Sequence, residues 1–252
     1  MAPTILFVHG AWHSPKPYQR LLEALEIAGF PSSCPRQPSL GKPPPIGLME
    51  DAQAIREELM TLIEEEGKSV IVIGHSYGGV VISQAVDSKF SRREREVHGM
   101  LGGVIHLLFV SAFVLPLGES LGSALGDPDH LPPFIPVKIH GMCTMLEPGQ
   151  RFYNDLGEAE QRFWVEELVE SPAIAQLTRI TQVSYMAHPS TYLFCENDQA
   201  LPIQIQEMMV GKVEGTGAIF QKEKCSSGHS PFLSQPEVIV KIVQKLASRV
   251  EE

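Results

Sequence analysis

Ser76 occupies the centre of Gly74-His75-Ser76-Tyr77-Gly78, between the β-branched run Ser69-Val70-Ile71-Val72-Ile73 and the apolar stretch Gly79-Val80-Val81-Ile82-Ser83. A serine lifted onto a sharp strand-to-helix turn takes a strained backbone conformation. Side chains two residues to either side would collide there, which explains the glycines. The turn exposes the hydroxyl, and the helix that follows aims its N-terminal amides at any negative charge formed there. The chemistry that suits this setting is nucleophilic attack, which needs a base, an acid and oxyanion donors from elsewhere in the chain.

The base expected is His229, in Cys225-Ser226-Ser227-Gly228-His229-Ser230-Pro231-Phe232, after a last strand at Ala218-Ile219-Phe220-Gln221 and before a helix beginning near Pro236. A histidine at that junction can reach a serine at the carboxyl end of a neighbouring strand. His75, inside the turn, and His106, inside an apolar run, read as packed; His98, His130, His140 and His188 read as surface or core filler. The acid expected is Asp198, in the loop that leaves the strand Thr191-Tyr192-Leu193-Phe194-Cys195. A carboxylate there accepts the imidazole Nδ1 proton and stabilises the imidazolium formed during attack. Glu196 competes, but Asp198 lies deeper in the loop, just before the Pro202 that starts the next helix. The order serine, aspartate, histidine differs from that of the chymotrypsin and subtilisin types. Oxyanion donors are expected from the amide of Ala11, with Trp12 as the alternative, in the His9-Gly10-Ala11-Trp12 turn after the strand Thr4-Ile5-Leu6-Phe7-Val8, and from the amide of Tyr77. Loss of one such donor costs about 3 kcal/mol of transition-state stabilisation.

For these residues to meet, the chain must deliver them to one edge of a sheet. Residues 16–29 read as a helix with Leu21, Leu22, Leu25 and Ala28 on one face, and residues 31–45 are proline-rich with at most a short strand near Ser32. Residues 49–66 read as a long amphipathic helix ending at Gly67, with Glu64-Glu65-Glu66 as a solvated face. Residues 91–96 read as a charged surface connection, and residues 103–110 as a buried strand. Strands alternating with helices imply a mostly parallel sheet flanked by helices, an α/β fold with ligands beyond the strands' carboxyl ends. The segment 116–189, rich in Pro, Gly and Met with a helix expected over 157–170, breaks the alternation and reads as a helical cap inserted between two strands. The core would then be residues 1–115 and 190–252. Trp12 and Phe113 with Met142, Met145, Phe152, Tyr153, Trp164, Tyr185 and Met186 are the candidate pocket lining, against the alternative that they pack the cap onto the body.

These pieces together resemble the α/β-hydrolase superfamily, and the resemblance runs from Val8-His9-Gly10-Ala11-Trp12 to Gly228-His229-Ser230-Pro231-Phe232. More narrowly the chain is similar to the compact esterase branch that includes plant methyl esterases, hydroxynitrile lyases and fungal hydrolases. The resemblance implies a Ser76–His229–Asp198 triad needing no metal or organic cofactor. The lyases of that branch carry a lysine after the histidine and a threonine in the oxyanion loop, where this chain has Ser230 and Ala11. Cyanohydrin cleavage is therefore disfavoured.

Composition sets outer limits. A chain of 252 residues with 43% hydrophobic content suits one domain, and a formal net charge of −10 disfavours nucleic acid and anionic membranes as partners. No stretch approaches the roughly 18 apolar residues of a membrane span. Met1-Ala2-Pro3-Thr4 runs into the first strand without the regions of a signal peptide, so a cytoplasmic location is expected. Cys34, Cys143, Cys195 and Cys225 have no metal-ligand spacing and are expected to be reduced thiols. Oligomeric state stays open, a homodimer included. The function expected is a serine esterase or lactonase acting on a small to medium apolar metabolite. The alternatives are a lyase or cyclase that uses the histidine as a base, a receptor of the same fold, and acyl transfer to an alcohol.

Overall fold

The β-branched and leucine-rich runs of the sequence are the strands of the sheet. In the computed structural model, which describes residues 2–248, the strands are β1 (Thr4–Val8), β2 (Ser32–Ser33), β3 (Ser69–His75), β4 (Gly103–Val110), β5 (Met142–Cys143), β6 (Ser171–Pro172), β7 (Ser190–Cys195) and β8 (Phe220–Cys225). Six of them form one sheet in the order β2-β1-β3-β4-β7-β8, every neighbour parallel, while β5 and β6 pair antiparallel with each other. Ile5 to Val8, Val70 to Ile73 and Leu107 to Val110 are all inaccessible to solvent. A parallel sheet buried on both faces needs such unbroken apolar strands, and each buried aliphatic side chain contributes about 1.5–3 kcal/mol.

The helices are α1 (Gln19–Ile27), α2 (Leu48–Met60), α3 (Gly78–Ala85), α4 (Arg92–Val97), α5 (Leu121–Ala124), α6 (Pro148–Tyr153), α7 (Glu158–Glu166), α8 (Ala173–Leu177), α9 (Ile203–Glu214), α10 (Pro231–Ser234) and α11 (Pro236–Ser248). α1 packs on α11 and α2 on α3, so the amphipathic helices flank the sheet. Strand order reverses about β1, which has β2 on one side and β3 on the other. Loops leaving β1 and β3 therefore diverge at the switch point, and the crevice between them lies at the strands' carboxyl ends.

Several sequence expectations are corrected. The acidic run after α2 is not wholly solvated, nor is the segment after Phe90 a bare surface connection. Arg95, buried on α4, forms a two-pronged pair with Glu64 at 2.6 and 2.9 Å and also caps the Leu101 carbonyl. The last strand begins at Phe220 and continues to Cys225; Lys222, Glu223 and Lys224 are tolerated because β8 is an edge strand buried only at its two ends, Phe220 and Cys225. Between β4 and β7 the chain makes a long excursion containing α5 to α8 and the small β5–β6 ribbon, where no strand was expected. Its helix α7 ends at Glu166, short of the expected residue 170, and buries none of its side chains. Among the described residues no helix is long and apolar enough to cross a membrane.

Candidate active site

Ser76 sits between the end of β3 and the start of α3 with φ of +54°, the left-handed conformation expected of a nucleophile turn. The flanking glycines are required by close approach. A Cβ on Gly74 would lie 2.8 Å from the Gly78 carbonyl oxygen, and one on Gly78 would strike the carbonyl of Val8. Tyr77 is fixed from below: its hydroxyl donates to Asp51 Oδ2 at 2.8 Å, and Asp51 also accepts from the Ser39 amide and hydroxyl. Burial pushes the Asp51 carboxyl up from its ordinary range, against the pull of these donors.

Asp198 and His229 meet at the ends of β7 and β8, whose register pairs Cys195 with Cys225. The imidazole Nδ1 donates to Asp198 Oδ2 at 2.7 Å, with both side chains buried. The second carboxylate oxygen accepts the amides of Ala200 and Leu201 at 2.7 and 2.8 Å, and the Ser111 hydroxyl donates to Oδ2. A carboxyl group with this many donors is held in one orientation. His229 Nε2, the nitrogen facing away from Asp198, is buried without a hydrogen-bond partner among the described residues, and His229 lines the same cavity as Ser76. Glu196 is exposed and takes no part. Ser111, which leaves β4 with φ of +40°, escaped the sequence reading; its signal is its place at a strand end between those of Ser76 and Asp198.

The turn after β1 completes the site. A Cβ on Gly10 would lie 3.1 Å from Ser76 Cβ, so only glycine lets this loop come so near the serine. Ala11, Trp12 and Tyr77 all line the cavity, and the amides of Ala11 and Tyr77 donate to no group among the described residues. His13, also unnoticed in the sequence, donates its Nδ1 proton to the Ala11 carbonyl at 2.7 Å, and its Nε2 accepts the Tyr153 hydroxyl at 3.0 Å. Burial pushes His9 down to about 4, His13 down to about 3 and His75 well below the usual imidazole value. All three therefore stay neutral and serve as fixed hydrogen-bonding pieces around His229.

The cavity beside Ser76 is narrow, with a volume of about 20 Å³, and is apolar on nearly every side. Trp12, Phe113, Met145 and Phe152, expected in the lining, are there, together with Leu121, Leu125, Phe134, Ile135 and Leu201. The other expected residues are elsewhere. Met142 is buried in the β5–β6 ribbon, Trp164 meets Phe163 edge to face on α7, and Tyr153 turns its hydroxyl onto His13. Tyr185 and Met186 line a wider, open groove with Val104 and Ser190, where β4 and β7 begin, at the far end of the sheet from Ser76. The excursion grips the site loops through the end of α6. Asn154 donates to the Asn197 carbonyl at 3.0 Å, and Asp155 accepts the Gly228 amide at 2.7 Å.

A hydroxyl, an imidazole oriented by a carboxylate and two free amides around one apolar cavity can carry out acyl transfer. Comparison with known proteins agrees in kind. The profile of the alpha/beta hydrolase family matches residues 5–242. The alpha/beta hydrolase nvfD of Aspergillus novofumigatus (strain IBT 16806) is 32% identical over 258 residues, spanning 100% of this chain and 99% of its own. A carbendazim hydrolyzing esterase of Nocardioides sp. (strain SG-4G) is 29% identical over 68% of this chain and 69% of its own. Among solved structures, a pyrethroid hydrolase from Sphingobium faniae JZ-2 superposes with a TM-score of 0.73 at 18% identity, covering 98% of each chain; at that identity the likeness shows the fold alone.

Proposed function

The chain belongs to the alpha/beta hydrolase family, and from that premise we propose that it is a serine hydrolase cleaving a carboxylic ester or lactone of a small to medium apolar metabolite. The observation that carries the reading is the unpartnered Nε2 of His229, on an imidazole whose Nδ1 is bound to Asp198 and whose ring lines the same cavity as Ser76. That nitrogen is a base whose lone pair no described residue takes. Ser76 Oγ loses its proton to His229 Nε2 and attacks the carbonyl carbon, with the Ala11 and Tyr77 amides stabilising the resulting oxyanion. The imidazolium then protonates the leaving alcohol as the C–O bond breaks. Water, deprotonated by the same nitrogen, releases the acid and restores Ser76.

Asp198 keeps the proton on Nδ1 so that Nε2 is free, and its buried charge stabilises the imidazolium. The excursion over residues 116–189 acts as a cap that supplies the apolar wall and excludes water, which favours uncharged acyl or alcohol groups. A generic fluorophosphonate, read by intact mass, tests the assignment. The wild type gains one adduct on Ser76, and Ser76→Ala and His229→Ala gain none. Labelling at another residue, or ester turnover that survives Ser76→Ala, refutes the acyl-enzyme.

A further inference from the structure

Besides Ser76, Tyr77, His229 and the Trp12 indole, the otherwise apolar lining of the cavity holds a polar side chain from α8. Gln176, on α8, is wholly buried, lines the cavity, and its Oε1 accepts no hydrogen bond from the described residues. The orientation of the amide follows from its other end. Gln176 Nε2 lies 3.3 Å from Cys143 Sγ, and the Cys143 thiol donates its own hydrogen to the Ser171 carbonyl at 3.2 Å. Burial pushes that thiol up to about 12, so it keeps the hydrogen and meets Gln176 only as an acceptor. With the thiol hydrogen given to Ser171, the NH₂ meets the sulfur lone pairs of Cys143, and the carbonyl of this cavity-lining residue is left without a partner.

No neighbour among the described residues donates to that carbonyl. The Trp12 indole N–H is taken by the Cys143 carbonyl at 3.0 Å, and the Tyr77 hydroxyl by Asp51. Phe113, Leu121, Phe134, Ile135 and Met145 have no side-chain donor. A buried acceptor left without a donor is costly and calls for a partner. Resting on the hydrolase reading above, we propose that Gln176 is a specificity residue whose Oε1 accepts a hydrogen bond from a hydroxyl group on an otherwise apolar substrate. The preferred substrates are then hydroxylated apolar esters or lactones rather than plain alkyl esters. A substrate lacking the hydroxyl leaves the carbonyl unpaired, and sites of this kind discriminate strongly against such analogues.

The test reads binding, so its result is independent of turnover. Ser76→Ala protein is titrated calorimetrically with methyl octanoate and with its singly hydroxylated positional isomers. At least one isomer is expected to bind about tenfold more tightly than the parent. That advantage falls below about twofold when Gln176→Leu or Gln176→Met is added, Met keeping the unbranched shape should Leu disturb α8. If no isomer gains over the parent, or if the gain survives both substitutions, the inference is overturned. Hydrolysis of the same esters by the wild type reports separately on the enzymatic reading. A preference that depends on Gln176 without turnover would uphold the inference and remove the hydrolase assignment.

Discussion

His75 donates its Nε2 proton to the backbone carbonyl of His229 at 2.8 Å, so the residue before the candidate nucleophile holds the loop that carries the candidate base. Its Nδ1 accepts the Tyr18 hydroxyl at 2.9 Å, and that oxygen accepts the Gly10 amide at 3.1 Å. One continuous chain of hydrogen bonds thus joins the turn after β1, the Ser76 turn and the His229 loop. A misplacement of about 1 Å at a reacting group can cost on the order of a hundredfold in rate. His75→Ala is expected to lower kcat by roughly ten- to a hundredfold with a smaller change in KM. His75→Gln, whose amide can still donate, should lose less. Equal losses in the two variants would show that the ring matters for its volume alone.

Asp198→Asn is expected to lower kcat by on the order of 10⁴, because an amide in place of the carboxylate favours the wrong imidazole tautomer. Ser111→Ala removes one donor to the same carboxylate and should cost roughly tenfold or less. Steady-state kinetics on an ester substrate separates the two. An Asp198→Asn variant with near wild-type kcat would exclude the role given to the aspartate.

Asp155 accepts both the Gly228 amide and the Ser227 hydroxyl, reaching from the excursion to the loop of His229. Asp155→Ala is expected to lower kcat about tenfold or more and to weaken protection of the Gly228 amide in hydrogen exchange. Unchanged exchange at Gly228 would contradict the clamp.

Glycine substitutions distinguish close approach from open space. Gly78→Ala drives a methyl group into the Val8 carbonyl and should cost about 3 kcal/mol or prevent folding. Gly211→Ala, within α9 with nothing within 4 Å of the added carbon, should stabilise by about 0.5–1 kcal/mol. Urea melts of both variants check the contrast.

Stability should fall on mild acidification. His9 and His13 are pushed down to about 4 and about 3 by burial, and His75 well below its ordinary value, whereas the unfolded chain titrates near 6.5. Below about pH 6.5 the unfolded state binds protons that the folded state refuses. The stability present above that pH is therefore lost on acidification, by up to roughly 1.4 kcal/mol per pH unit for each histidine. Urea midpoints measured from about pH 7 to about pH 5 should drop, and His13→Phe should show a shallower slope. A flat profile would mean that these rings accept protons in the folded state.

The sequence by itself determined the family and the sheet, because both are written in local patterns. The run Val70-Ile71-Val72-Ile73, bounded by turn signals, reads as a strand buried on both faces, and Ser76, Asp198 and His229 each follow a strand at turns whose glycines and prolines mark them. Only the tertiary structure decided what surrounds those residues. The excursion has no period to read, so nothing local separated Phe134 and Ile135, which line the cavity, from Trp164 and Met186, which do not. The partners of Asp51, Ser111, His13, Arg95 and Gln176 lie on other elements, and Gln176 reaches its cysteine across 33 positions of chain. Local order follows from steric and hydrophobic preferences of neighbouring residues, whereas burial and hydrogen-bond partnership arise only where distant segments pack. The substrate preference of the cavity belongs to that second class.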